Sequence, residues 1–230
     1  MEGPGASSSD GSAASEFPLF RSREETKGEE DVKGVSLNAD MGLLRQAFIN
    51  EVYAPEILAF QSEVVSRLKE QFEAQENNVA ESTPQDGRDR LVHHILWMDL
   101  NRVKYLLAGY LRLRLEKICK YALFIERVSE IQSLLSANEL EFFEKYVKQL
   151  HAHFEESFLR HLPEKVKHME EEKMVVEPPL ETNVVIRAKK SMDWQAEEDG
   201  DYITLEEGHF YTLQYASIRP LFEEGIVELV

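Results

Sequence analysis

From Asn38 to Pro163 apolar positions recur with a helical period, and beyond Pro163 the pattern changes. Asn38 or Asp40 offers an N-cap, and Leu44, Ala47, Phe48 and Val52 follow at helical spacing, predicting a short first helix. Tyr53-Ala54-Pro55-Glu56 breaks it. Pro55 in a first helical position, with Glu56 behind it, predicts a second helix with the stripe Ile57, Phe60, Val64, Leu68, Phe72 and Val79. The turn formers between Ser82 and Gly87 end that helix.

The third helix, roughly Leu91 to Cys119, departs from the usual surface pattern. Its apolar residues include Leu91, Ile95, Trp97, Met98, Val103, Tyr105, Tyr110, Leu111, Leu115 and Ile118, which cover more than one stripe. Such a helix should be contacted on several sides, by its own chain and by partner chains. A fourth helix opens with the capping box Ser136-Ala137-Asn138-Glu139 and carries Leu140, Phe143, Val147, Leu150 and Phe154. Four antiparallel helices with short connections satisfy this pattern.

After a charged linker containing Glu177-Pro178-Pro179, period-two segments appear. Val184 to Ile186, Tyr202 to Leu205, Phe210 to Tyr215 and Ile226 to Val230 read as strands. Asp199-Gly200 and Glu207-Gly208 read as turns, and Ser217 to Glu224 as a helical turn or two. The fold class is therefore mainly α with a small β-rich C-terminal domain. Residues 1–36 form a Gly-, Ser- and acid-rich tail expected to be disordered, 37–163 the helical domain, 164–182 the linker and 183–230 the β-rich domain. In the tail, Phe17-Pro18-Leu19-Phe20 reads either as a docking peptide or as an isolated aromatic pair without a role. So small a C-terminal unit is expected to lean on the helical domain or on a neighbour.

Charge alters this picture at one place. The 230-residue chain carries a formal net charge of -17, which disfavours binding of phosphate backbones by the protein as a whole. Between Arg88 and Lys120, however, eight bases face three acids, a local excess of +5. A helix that is apolar on several sides leaves little exposed arc for Arg102, Arg112 and Arg114. Some of them are expected to pair with carboxylates, either of the same chain or of a partner.

Candidate chemistry is sparse. His151 and His153 lie two apart on a helix and point to different faces, His93 and His94 fail likewise, and neither HExxH nor CxxC occurs. Cys119 lies mid-helix, away from an activating helix N-terminus, and reads as core. GxSxG and glycine-rich phosphate loops are absent, and the carboxylate runs Glu155-Glu156 and Glu170-Glu171-Glu172 sit in polar stretches. No catalytic residue, metal ligand or cofactor is expected. The longest apolar runs are far too short to cross a bilayer, and the N-terminus lacks the look of a secretory signal, so a cytosolic or nuclear protein is expected.

Three segments carry a family resemblance: Phe48-Ile49-Asn50-Glu51-Val52-Tyr53-Ala54-Pro55-Glu56-Ile57-Leu58, Met98 to Leu107, and Tyr110-Leu111-Arg112-Leu113-Arg114-Leu115-Glu116-Lys117-Ile118. With Glu139 to Phe143, His161-Leu162-Pro163, Asp201-Tyr202-Ile203, Tyr215 to Leu221 and Gly225 to Leu229, they resemble, in order and spacing, the Sld-five type subunits of the eukaryotic GINS DNA replication complex. The resemblance spans about residues 37 to 230. It implies a nuclear, non-enzymatic subunit of a heterotetramer with three other GINS subunits. It also implies association with the MCM hexamer and its Cdc-type partner, a link to replicative DNA polymerases, and at most indirect contact with DNA. Some relatives carry an acidic helix-forming peptide in the tail that docks onto a replisome hub, a pattern from which this tail departs.

The expected partner interface comprises Tyr105, Tyr110, Leu111, Arg112 and Arg114, either in the contact or just behind it. Ile218, Leu221 and Leu229 are expected to anchor the C-terminal domain. The competing reading is a helical nucleic-acid-binding module using the basic 88–120 helix, with an unrecognised hydrolase a distant third.

Overall fold

A computed structural model describes residues 37–163, 175–195 and 202–230. Helix α1 (Leu37–Tyr53), α2 (Ser62–Glu81), α3 (Gly87–Lys120) and α6 (Ala137–Ser157) are the long elements of the helical domain. Two short helices, α4 (Ala122–Arg127) and α5 (Ser129–Gln132), lie between α3 and α6, in a stretch where no element was expected from the sequence.

Local chemistry accounts for the helix starts. The Asp86 carboxylate accepts from the Asp89 N–H at 2.8 Å and opens α3. Ser136 and Glu139 form the expected capping box at α6, the Ser136 N–H donating to Glu139 Oε2 at 2.8 Å. Two expectations are corrected. Helix α1 already begins at Leu37, so neither Asn38 nor Asp40 caps it. Asp40 is instead fully buried, and Arg67 of α2 donates to it at 2.8 Å. Pro55 does not start a helix either. Residues 54–61 form a non-helical strap, and α2 begins only at Ser62. The strap's carbonyls are engaged by cations of α3, and the N–H of Phe60 donates to the carbonyl of Leu134, so the backbone is satisfied without helical bonds.

Two apolar clusters fill the helical domain. Leu44, Val64, Leu68 and Tyr110 join α1, α2 and the middle of α3. Ile57, Ile118, Tyr121, Ile125, Phe143 and Val147 join the strap, the end of α3, α4 and α6.

In the C-terminal part, β1 (Asn183–Ala188) lies between antiparallel β4 (Phe210–Gln214) and β5 (Val227–Leu229). A separate hairpin pairs β2 (Met192–Gln195) with β3 (Tyr202–Leu205), and Trp194 opposes Ile203. β2 was not expected from the sequence, whose Met-Asp-Trp-Gln carries no β-branched residue. Gly208 (φ +82°) supplies the turn before β4, and Gly225 (φ +71°) follows α7 (Tyr215–Glu223) and leads into β5. Ile186, Leu205, Tyr215, Ile218, Leu221 and Leu229 form the core, which also takes in Ala54 and Leu58 of the strap. Residues 175–182 join this part: Val175 is buried, Leu180 packs on the core, and the carbonyl of Thr182 accepts from the Tyr215 N–H. The expected tail and its Phe17-Pro18-Leu19-Phe20, the Asp199-Gly200 turn and Glu170 to Glu172 lie outside the described residues.

Candidate assembly interface

Helix α3 is 34 residues and about 51 Å long, and its two ends differ in environment. At the C-terminal end Arg114 is 0% exposed and uses all five guanidinium N–H groups. Its Nε and Nη2 grip the Glu139 carboxylate at 2.7 and 3.2 Å. Its Nη1 donates to Glu51 Oε2 at 3.1 Å and to the Leu58 carbonyl at 2.6 Å, and its Nη2 reaches the Leu134 carbonyl at 3.2 Å. The guanidinium carbon also lies 5.3 Å from the Phe60 ring centre and 5.7 Å from that of Tyr110.

One turn on, Lys117 spends its three protons on Glu51 Oε1 (2.9 Å), the Ala54 carbonyl (2.9 Å) and the Glu56 carbonyl (2.7 Å). Two cations and two carboxylates thus share a dry site with every cationic proton placed. Desolvation pushes the Lys117 amine down from its ordinary value, more than Glu51 restores. Desolvation also opposes the charge of Arg114, but the Glu139 hydrogen bond and the Glu51 and Glu139 charges outweigh it, and its pKa is raised.

The N-terminal end is bare along one line. Leu91, Ile95, Met98, Arg102 and Tyr105 are exposed at alternating steps of four and three, the spacing of a helix-packing seam. Tyr105 is 72% exposed and Leu91 60%, and Trp97 is also exposed beside this line, stacked on His94. Between this end of α3 and the start of α1 runs an open groove of about 790 Å³, lined by Met41, Gly42, Arg45, Met98, Arg102 and Tyr105. Among the described residues, contact on several sides holds for the C-terminal half of α3 and not for this half.

The five expected interface residues therefore separate. Tyr105 and Arg112 are exposed and Leu111 is half-buried, whereas Tyr110 and Arg114 lie inside the helical domain. Arg114 pairs within the chain. Of the eight bases in the 88–120 stretch, Arg114 and Lys117 are turned inward and Arg102 pairs with Asp99 at 3.2 Å, which takes up part of the local excess. Sequence reasoning missed Glu51 and Glu139 as the receivers of Arg114. Glu139 is the N3 residue of the expected capping box, and its carboxylate also receives Arg114.

Ile218, Leu221 and Leu229 lie in the C-terminal core, at 0%, 5% and 0% exposure. Cys119 is half-buried with a thiol pushed up by burial. His93 bonds the Val79 carbonyl and His151 the Glu126 carboxylate, and among the described residues there is no group of three or more side chains that could hold a metal. No described helix is long and apolar enough to cross a membrane.

The chain matches two family profiles. Residues 60–158 match the Sld5 "GINS complex protein helical bundle domain", and residues 178–230 match the "DNA replication complex GINS protein SLD5 C-terminus". Among curated proteins it is similar to "DNA replication complex GINS protein SLD5" of Arabidopsis thaliana, 34% identical over 91% of this chain and 99% of the relative. The Rattus norvegicus protein of the same name is 34% identical over 81% of this chain and 87% of its own. The corresponding Schizosaccharomyces pombe protein is 29% identical over 80% of this chain and 88% of its own.

Proposed function

We propose, from the premise that this chain belongs to the SLD5 family of DNA replication complex GINS proteins, that it is a non-catalytic structural subunit of a GINS heterotetramer. Its role lies in DNA replication. The heterotetramer joins the MCM hexamer and its Cdc-type partner in the nucleus, acts in initiation and elongation, and links the helicase to replicative polymerases. The protein's work is to hold these parts together.

The observation that carries this reading is the exposed 4-3-4-3 line from Leu91 to Tyr105, a helix-packing seam that no described helix of this chain covers. Core-like apolar faces of this kind belong to obligate interfaces. Tyr105, Leu111 and Arg112 meet partner subunits, and Tyr110 and Arg114 hold the helix straight behind them. Ile218, Leu221 and Leu229 anchor the C-terminal domain.

Co-expression with the three other GINS subunits tests the proposal. The expected product is a complex of four by light scattering, and Met98→Ala with Tyr105→Ala should weaken its assembly by about 2 kcal/mol while the chain keeps its helicity. A soluble monomer that never enters such a complex would refute it.

A further inference from the structure

Edge strand β5 of the three-stranded sheet runs beside α1, and that contact is built from side-chain amides. Gln46 Nε2 donates to the Leu229 carbonyl at 3.0 Å, and the Leu229 N–H donates to Asn50 Oδ1 at 3.3 Å. The two amides are themselves joined, Gln46 Nε2 to Asn50 Oδ1 at 2.9 Å. A donor and an acceptor spaced one helical turn apart thus imitate a neighbouring strand's peptide and satisfy the exposed edge of β5.

A second contact lies on the strap. The Glu56 carboxylate accepts from the Tyr215 hydroxyl at 2.9 Å and forms an ion pair with Arg219, whose Nε lies 3.0 Å away, both partners being on α7. The backbone carbonyl of the same Glu56 accepts from Lys117 at 2.7 Å. Between these polar contacts, Ala54 and Leu58 insert into the C-terminal core.

We infer that α1 and the strap form a releasable latch that sets the position of the C-terminal domain on the helical domain, closed by Gln46, Asn50 and Glu56 around the pegs Ala54 and Leu58. The closures are few and polar, and the pegs are small beside a core of nine other buried residues, so the C-terminal core survives opening of the latch. Arg114 and Lys117 hold the strap from below and so fix the base on which the pegs stand.

Pulsed electron spin resonance on the full chain tests this. Spin labels at Glu144→Cys on α6 and Glu224→Cys after α7, both exposed positions, are placed in a Cys119→Ser background. The parent should give one narrow distance population. In Gln46→Ala, Asn50→Ala, Glu56→Ala a second, broad population should become the main one, with far-ultraviolet circular dichroism unchanged. Arg219→Ala, a partly exposed site that leaves the amide pair in place, should give a smaller share of that population. It decides the question if the triple variant loses helicity. A parent distribution that is already broad, or one unaltered in the folded variants, overturns the latch.

Discussion

The two halves of α3 share a helix and a similar apolar content, yet they solve opposite problems. The C-terminal half is enclosed, and there cations are tolerated because Glu51 and Glu139 neutralise them and strap carbonyls take the remaining protons. The N-terminal half keeps its leucine, isoleucine, methionine and tyrosine in the open and pairs Arg102 with exposed Asp99. The difference teaches that hydrophobicity alone does not tell a core from a surface awaiting a partner. What separates them is whether the apolar face is covered within the described chain and its cations are buried with their carboxylates.

The enclosed half is broken most severely by Arg114→Met. It leaves the buried Glu139 carboxylate without its cation and Glu51 with Lys117 alone, and chemical denaturation should show a loss of about 3–5 kcal/mol. Alkaline titration acts on the same half more gently. Burial, only partly countered by Arg114, raises the Tyr110 pKa, so the folded state keeps a proton that the unfolded chain releases near pH 10. The stability linked to Tyr110 is therefore whole below about pH 10 and is lost as pH rises through the folded value, by up to about 1.4 kcal/mol per pH unit. Denaturation at stepped pH should show that slope, and Tyr110→Phe should flatten it.

Ser136→Ala sharpens the comparison by removing the cap of the helix that presents Glu139. A loss of about 1 kcal/mol in the same assay is expected, without collapse of the cluster. In the open half, Ile95→Ala should change the stability of the isolated chain by no more than about 0.5 kcal/mol. A loss of several kcal/mol there would mean that the seam is already covered within the chain, and the contrast between the halves would fail.

Much of the helical domain was legible because its determinants are local. The stripe Val64, Leu68 and Val79 and the Ser136–Glu139 box act over a few residues, and each appears where the spacing places it. The strap was not legible. Pro55 is as suitable for a first helical turn as for an extended stretch, and the strap's conformation depends on Arg114 and Lys117, more than fifty positions away. Tyr105 and Tyr110, alike in sequence context, finish at 72% and 1% exposure, because only the second meets Phe60 and the Leu44–Leu68 cluster.

By itself, then, the sequence determined most of the helical stripes, the Ser136–Glu139 capping box, the small β-rich end and the charge asymmetry of 88–120, since these arise from neighbours a turn or a strand apart. Tertiary structure alone decided which half of α3 is enclosed, which carboxylates receive its cations, and that Gln46 would complete a strand edge 183 residues further on. Periodicity specifies which face of an element is apolar. It carries no information about which distant element will cover that face, a choice made by packing and by the need to satisfy every buried polar group.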